Sequence, residues 1–145
     1  MTQEQKDLKD LLIRDLCARL PYGVKVSTPD DVSRTITRMN IDRNLIEVGN
    51  YIDDVYVLSD IKPYLFPLSS MTEEQYKEWG DLAGEPLDEI LTRNAKGEIM
   101  STLEHHLLVA KSSTEPVNYC YKNHFGINGL IPKGLANDAT NLNIY

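Results

Sequence analysis

Residues 22 to 68 hold a series of short apolar segments separated by connections of only a few residues, and this spacing limits the fold more than any other feature. The predicted strands are 22–27, 32–39, 44–48, 51–58 and 64–68. Each is rich in Val, Ile, Thr or Tyr and is bounded by turn-forming residues. Because a parallel crossover needs about a dozen residues or more, connections this short indicate antiparallel neighbours. The region is therefore predicted to be an antiparallel meander.

Two turns in this region carry their own signals. Gly49-Asn50 is typical of a two-residue hairpin, because glycine accepts the positive φ of the first central position. A tight turn is predicted over Asp60 to Pro63, before the short fifth strand. Pro63 and Pro67 lack a backbone N–H and predict that this strand lies at an edge of the sheet. Four meandering strands, a tight turn and a short fifth strand predict a small SH3-like barrel.

Helical periodicity precedes and follows the predicted sheet. Leucines recur at three- and four-residue steps over 3–20, which predicts an amphipathic helix that ends at Pro21. Thr72 and Gln75 have the spacing of a capping box, at the start of a helix that is predicted to end at Gly80. Three more helices are predicted: one from Pro86, one over 98–111 and one from Pro116.

The order of these elements predicts an α+β fold, with an N-terminal helix, a small antiparallel sheet and then several short helices. The sequence has no internal repeat and no linker long enough to separate domains. We therefore expect one domain over 1–145, with a β-rich part at about 21–68 and a helical part at about 72–136.

The composition is that of a small globular protein with an acidic surface. Of the 145 residues, 41% are hydrophobic and 26% are charged, and the formal net charge is −7. Residues 1–50 carry eight acidic and eight basic side chains, whereas the remainder carries 14 acidic and 7 basic ones. Nucleic acid is not expected as a partner, because phosphate backbones are bound by clustered Lys and Arg. The acidity predicts a solvated surface or, alternatively, an acidic mimic of nucleic acid that occupies a basic protein.

Signals for membranes and secretion are not found in the sequence. No apolar run reaches the roughly 18 residues of a membrane span, so no membrane partner is expected. The first residues are polar and acidic, unlike a secretory signal. Cys17 and Cys120 lie far apart on predicted apolar helix faces, which favours buried thiols over a disulfide. Together these features predict a cytoplasmic protein.

The most prominent chemical pair is Cys120 and His124, four residues apart on the helix predicted from Pro116. Val117 and Tyr121 share their face, which is apolar. A structural role is therefore predicted, with the thiol in the core and the histidine at the negative end of the helix. Gly126 then occupies the position of a left-handed C-terminal cap.

Two chemical alternatives are open for the same pair. A nucleophilic thiol would use the imidazole as its base and would need a third group to orient the ring. A metal site would recruit Glu104 with His105 or His106 to reach three or four ligands. Apolar neighbours raise the pKa of a thiol and shield it from substrate. No complete catalytic set is present, so we expect no catalytic residue, no cofactor and no metal, with Cys120 and His124 as weak catalytic candidates.

Aromatic residues are concentrated in the predicted barrel. They are Tyr22, Tyr51, Tyr56, Tyr64 and Phe66. Exposed tyrosines suit a peptide groove, because each offers a flat apolar body and a polar tip. Tyr64 and Phe66 are the predicted binding residues, with packing in the core or across hairpins as the alternative. Trp79 is expected to fill the barrel. Lys133, beside the helix end in GINGLIPKG, predicts a weak anion site.

Three segments at the start, middle and end of the chain are distinctive. They are DLCARLPYGVKV at 15–26, DIKPYLFPLSSMTEEQY at 60–76 and NHFGINGLIPKGLA at 123–136. Together they resemble a group of short, uncharacterised proteins found on phages and mobile elements of gut-dwelling anaerobic bacteria. The resemblance implies an origin on a phage or mobile element and a bacterial host. Members often carry Asp-Tyr-Arg before Gly-Leu-Ile, where this chain has Gly126, Ile127 and Asn128.

These observations predict a non-enzymatic module that binds a protein partner, as an adaptor would. The first alternative is a small enzyme or metal protein that uses Cys120 and His124. The second alternative is the acidic mimic of nucleic acid.

Overall fold

The computed structural model describes residues 2–30, 32–49, 54–83 and 114–145 and has an α+β architecture. The chain forms two compact units. The first is Met1–Leu65 together with Asn128–Tyr145, and the second is Phe66–Ile127. The prediction of one domain over 1–145 stays a prediction.

The first unit begins with helix α1, Gln3–Arg19, which confirms the predicted N-terminal helix. Thr2 caps it: its hydroxyl accepts a hydrogen bond from the Gln5 N–H at 3.2 Å, and the Gln5 side chain accepts from the Thr2 N–H at 2.9 Å. Two of the donors that every helix start leaves unpaired are thereby satisfied. A single 3₁₀ turn, Leu20–Tyr22, contains Pro21 and closes on Gly23, whose φ is 71°.

Five strands follow α1, and all of their residues except the last two of β5 belong to the first unit. They are β1 (Lys25–Ser27), β2 (Ser33–Asn40), β3 (Leu45–Val48), β4 (Val55–Val57) and β5 (Lys62–Pro67). The spatial order is β4-β3-β2-β1-β5, and each of these pairs is antiparallel. The predicted meander is confirmed for β1 to β4, whereas β5 pairs with β1 and not with β4, the strand that precedes it. Gly49 has the predicted positive φ, 68°. The predicted two-residue hairpin at Gly49-Asn50 is wrong, because Glu47 stands opposite Val55 and the Val48 N–H donates to the Asp54 carbonyl. A 3₁₀ turn, Leu58–Asp60, joins β4 to β5.

The edge position predicted for the fifth strand is wrong. Strand β5 pairs with β1 through residues 62–63 and with the two-residue strand Asn137–Asp138 through Tyr64 and Leu65. Pro63 stands opposite Val26 in the antiparallel register. An antiparallel ladder uses the backbone groups of alternate residues only, so a proline is tolerated where its missing N–H would not take part. Among the strands of the described residues, β4 lies at the end of the sheet.

The core of the first unit lies between α1 and the sheet. Its buried members are Leu12, Leu16, Val24, Val26, Ile36, Ile46, Val48, Leu58, Ile61, Leu65, Leu130 and Ala136. Leu12 and Leu16 come from α1, and five of the other ten come from the strands, where buried residues alternate with exposed or partly exposed ones. Such alternation is what a sheet with one covered face requires. Two charged residues, Asp15 and Arg19, are buried in the same unit.

The second unit contains a 3₁₀ turn and two described helices. The turn is Leu68–Ser70, and the helices are α2 (Glu73–Ala83) and α3 (Thr114–Lys122). The predicted capping box is confirmed, because the Gln75 N–H donates to the Thr72 hydroxyl at 3.2 Å and the Thr72 N–H donates to the Gln75 side chain at 2.9 Å. After α3, strand β6, Phe125–Gly126, runs parallel to Phe66 and Pro67. Asn137–Asp138 of the first unit is strand β7.

The predicted end of α2 at Gly80 is wrong, because the helix continues to Ala83. Gly80 is buried beside Trp79. A glycine inside a helix costs only about 1 kcal/mol relative to alanine, and burial of neighbouring apolar surface outweighs that cost.

The expectation that Trp79 packs inside the β-rich part is also wrong. Trp79 is 1% exposed and belongs to a separate cluster with Leu68, Met71, Cys120 and Phe125. Phe66 packs on the same cluster, with its ring centroid 6.2 Å from that of Phe125. The second unit therefore has its own apolar core. The periodicity of the sequence did not predict two cores.

Several predictions fall on residues that the structure does not describe. They are the helices from Pro86 and over 98–111, Tyr51, and the candidate ligands Glu104, His105 and His106. Among the described residues, every helix is too short or too polar to cross a bilayer.

Candidate binding groove

The first unit has an open, mostly apolar cavity of about 610 Å³ beside the N-terminal part of α1. We call it the groove. Its apolar lining residues are Leu8, Leu12, Val57, Leu58, Ile61 and Leu135. Its polar lining residues are Gln5, Asn44 and Ser59, and its charged ones are Lys9 and Lys62. The volume lies within the range of about 300–1,000 Å³ that is common for ligand sites.

One wall of the groove is a single face of α1. Gln5, Leu8, Lys9 and Leu12 are spaced at three- and four-residue steps, so their side chains lie next to one another on the helix surface. Leu12 is 6% exposed and reaches into the core, whereas Leu8 is only partly buried. This wall is therefore anchored at its inner end and open to solvent at its outer end.

The other wall is the connection between β4 and β5. Leu58 and Ile61, 4% and 2% exposed, form its buried base. The 3₁₀ turn is closed by a hydrogen bond from the Ile61 N–H to the Leu58 carbonyl. The Leu58 N–H in turn donates to the Asn44 carbonyl at 2.9 Å. These backbone bonds fix the turn, and Ser59 within it and Lys62 after it line the groove and are exposed to solvent.

The electrostatics of the groove differ from those of the whole chain. The chain carries a formal net charge of −7, yet the charged residues among the described part of the lining are both lysines. Asp60 lies in the same 3₁₀ turn but is not part of the lining. Lysine places its ammonium group in water while its methylene stem covers apolar surface. The groove thus offers an apolar floor with cationic groups at its sides.

A buried ion pair positions α1 behind the groove. Arg19 Nε lies 2.6 Å from Asp15 Oδ1, and Arg19 Nη2 lies 3.2 Å from Asp15 Oδ2. Both side chains are fully buried. Asn128 Nδ2 donates to Asp15 Oδ2 at 2.7 Å, which ties the helix to a segment more than 100 residues later in the chain. Because Leu8, Leu12 and Asp15 follow one stripe of α1, this contact also sets the rotation of the groove face.

Sequence reasoning missed this ion pair, although a signal was present. Asp15 and Arg19 have opposite charge, are four residues apart and occupy positions that continue the apolar stripe of α1. A charge on an apolar stripe is rarely buried without a partner. That pattern would have predicted a buried pair.

The structural role predicted for Cys120 agrees with its position, whereas that for Cys17 does not. Cys120 is 0% exposed and lies among Leu68, Met71, Trp79 and Phe125. Cys17 is exposed, so its predicted burial is wrong. Its sulfur lies 4.0 Å from Met39 Sδ at the border of the first core. The periodicity of α1 places Cys17 beside the apolar stripe, but the helix is rotated so that Cys17 faces solvent and not the core.

His124 does not continue the helix face that carries Cys120. Helix α3 ends at Lys122, and His124 has a left-handed φ of 64°. Its N–H donates to the Tyr121 carbonyl at 3.2 Å, and its carbonyl accepts from the Phe66 N–H at 2.8 Å. The left-handed position is therefore His124, and the predicted cap at Gly126 is wrong, because Gly126 pairs with Pro67 in β6.

The predicted binding residues are not among those that line the groove. Tyr64 is partly buried, and its carbonyl accepts a hydrogen bond from the Tyr145 hydroxyl at 2.7 Å. Phe66 packs against Phe125. Lys133 is exposed in a turn, where its N–H donates to the Gly129 carbonyl at 3.3 Å. None of the three lines the groove.

Within the ranges that the structure describes, no cluster of three or more His, Cys, Asp or Glu side chains could hold a metal ion. No protein-family model, no curated protein and no solved structure matches this chain.

Proposed function

We propose that this protein is a non-enzymatic binding module, an adaptor that acts in the cytoplasm of a bacterial host and originates from a phage or mobile element. The observation that carries the proposal is the groove, in which apolar side chains are combined with Lys9 and Lys62 and, among the described residues of the lining, with no carboxylate. Such a surface binds a ligand that has both apolar and anionic groups. The origin and the bacterial host follow from the three resembling segments.

The ligand we propose is a peptide segment of a partner protein, with apolar side chains and at least one Asp or Glu. Leu8 and Lys9 alternate apolar and cationic character along one wall, as Ile61 and Lys62 do on the other. A peptide with apolar and acidic residues side by side complements both walls. Charge complementarity of this kind selects partners and speeds their association.

We further propose that the first unit is an SH3-like barrel. Support comes from the order β4-β3-β2-β1-β5, from its antiparallel pairs and from the 3₁₀ turn between β4 and β5. Small barrels of this type carry many unrelated functions. The binding proposal therefore rests on the groove and not on the fold.

The small-enzyme alternative has less support. A nucleophilic thiol must reach its substrate, and the Cys120 side chain is completely buried in the core of the second unit. His124 lies beyond the end of α3, so the four-residue spacing does not place it on the same helix face as Cys120.

The test is selection of a random displayed peptide library on the immobilised protein. We expect the selected peptides to combine apolar residues with Asp or Glu. The variant Lys9→Glu with Lys62→Glu should select peptides with Lys or Arg instead, because the charge of the groove is inverted. A matched control, Lys6→Glu with Lys77→Glu, changes the same number of exposed lysines outside the groove and should leave the selection unchanged.

Two results would contradict the proposal. One is a library that yields no enriched peptide on the wild-type protein. The other is a change in the charge of the selected peptides that occurs with the control variant and not with the groove variant.

A further inference from the structure

Strand β4 directs half of its backbone hydrogen-bonding groups away from the sheet. The Val48 N–H donates to the Asp54 carbonyl at 3.0 Å, and the Leu58 N–H donates to the Asn44 carbonyl at 2.9 Å. In the antiparallel register Tyr56 stands opposite Ile46. Positions 54, 56 and 58 therefore face β3. Because an antiparallel strand alternates the direction of its backbone groups, Val55 and Val57 direct their N–H and C=O groups to the opposite side.

This outer side of β4 has no strand beside it among the residues described. The side chains of Val55 and Val57 are 37% and 46% exposed. Proteins usually protect such an edge with a lysine, a proline or a bulge, because unpaired backbone groups attract another strand. The strand Val-Tyr-Val has none of these features.

The exposed edge is continuous with the groove. Val57 belongs to both, because it is the last residue of β4 and lines the groove. A segment that pairs with β4 would therefore direct side chains toward the groove, next to Leu58 and the lysines. Peptides bound by strand addition gain affinity from backbone hydrogen bonds and specificity from the pockets that receive alternate side chains.

We infer that the partner segment binds by strand addition: an extended peptide of apolar and acidic residues pairs with the outer edge of β4 through the backbone groups of Val55 and Val57. This inference rests on the proposed function, since the groove supplies the preference for acidic residues. It adds that the peptide is extended and that backbone groups of β4 hold it.

The first test is a proline at position 57. Val57 has φ −73° and ψ 140°, which proline adopts without strain, and Val57→Pro removes an N–H that does not take part in pairing with β3. The probe is the tightest-binding peptide of the library selection, made synthetically with blocked ends. We expect Val57→Pro to bind it about tenfold more weakly, because one backbone hydrogen bond and the edge geometry are lost. The comparison variant Val57→Thr changes the same groove-lining side chain but keeps the N–H and the branched shape. Val57→Pro should therefore bind the peptide more weakly than Val57→Thr, and equal affinity of the two variants would contradict strand addition.

The second test does not depend on a variant and uses amide hydrogen exchange of the wild-type protein by NMR. Addition of the same peptide should slow exchange of the Val55 and Val57 amides by about tenfold or more, whereas Tyr56 and Leu58 are already protected by β3. A peptide that shifts the Leu8 and Leu12 resonances but leaves both valine amides unprotected would overturn strand addition and keep the groove. Protection of those amides in the free protein that rises with protein concentration would show pairing with a second copy, which also overturns the inference. If the wild-type protein bound no peptide at all, both the proposed function and strand addition would be contradicted.

Discussion

Asp15 and Arg19 form a fully buried ion pair, with 2.6 Å between Arg19 Nε and Asp15 Oδ1. Both residues belong to α1, yet the pair also forms a tertiary contact, because Asn128 donates a hydrogen bond to the second carboxylate oxygen of Asp15. Removal of two charges from water is unfavourable unless their hydrogen bonds are satisfied. The network therefore makes the position of α1 depend on the segment that follows the second unit.

The first prediction concerns this ion pair. Arg19→Met leaves the Asp15 carboxylate buried without its cation, and we expect it to lower the free energy of unfolding by about 3–5 kcal/mol. The double change Asp15→Leu with Arg19→Met removes both charges and should cost much less than the sum of the single changes. Urea unfolding followed by circular dichroism gives both values. A cost below about 1 kcal/mol for Arg19→Met would contradict the importance of the pair.

The second prediction concerns the start of α2. Thr72→Ala removes the hydroxyl that accepts the Gln75 N–H, and we expect it to cost about 0.5–2 kcal/mol. Thr72→Ser keeps the hydroxyl and serves as the matched control. Trp79 is the one tryptophan of the chain and lies in α2, so its fluorescence reports unfolding of this unit. Equal stability of the two variants would show that the capping box does not stabilise α2.

The third prediction distinguishes the two cysteines. Cys17 is exposed and Cys120 is buried, so a thiol reagent should label Cys17 quickly in the native protein. Cys120 should react at least about 100-fold more slowly, because it must wait for an opening of the second core. The variants Cys17→Ser and Cys120→Ser assign the two rates. Rapid labelling of Cys120 under native conditions would show that its thiol is accessible and would support the small-enzyme alternative.

The fourth prediction concerns alkaline pH. The Tyr145 hydroxyl accepts from the Lys25 N–H at 3.0 Å and donates to the Tyr64 carbonyl at 2.7 Å. Burial raises the pKa of Tyr145 from 10.0 to about 12, and the Lys25 backbone hydrogen bond and the Arg19 charge only partly oppose this shift. The folded state thus holds the proton more tightly than the unfolded chain. Its contribution to stability is complete below pH 10 and declines as the pH rises toward 12.

Tyr145→Phe provides the measurement for this pH effect. The variant should lose about 0.5–1.5 kcal/mol at neutral pH, because the hydrogen bond to the Tyr64 carbonyl is removed. The difference in stability between wild type and variant should shrink from pH 10 upward, and tyrosinate absorbance of wild type minus variant should titrate near 12. A difference that stays constant over this range would contradict the raised pKa of Tyr145.

Local features were the most predictable from the sequence. The helix over 3–20, the capping box of Thr72 and Gln75 and the positive φ of Gly49 are confirmed, because each depends on residues within a few positions of one another. The antiparallel meander of β1 to β4 is confirmed for a similar reason, because its short connections are too short for a parallel crossover.

Features that depend on distant segments were not predictable in the same way. The left-handed residue after α3 is His124 and not Gly126, because Gly126 pairs with Pro67, almost 60 positions earlier. Trp79 packs with Cys120 of α3 and Phe125 of β6, about 40 positions later, and α2 continues past Gly80. Strand β5 leaves the edge because Asn137–Asp138 pairs with it.

By itself, the sequence determined the α+β class, the strand order along the meander and the helix that begins at residue 3, because backbone geometry and apolar periodicity act over a few residues. The tertiary structure alone decided which charged side chains are buried and which apolar surfaces stay exposed. It buried Asp15 with Arg19, left β4 at the end of the sheet and placed Lys9 beside the apolar groove. These outcomes depend on which distant segments meet, and the free energy of burying a charge or a valine is set by the neighbours that the fold brings to it.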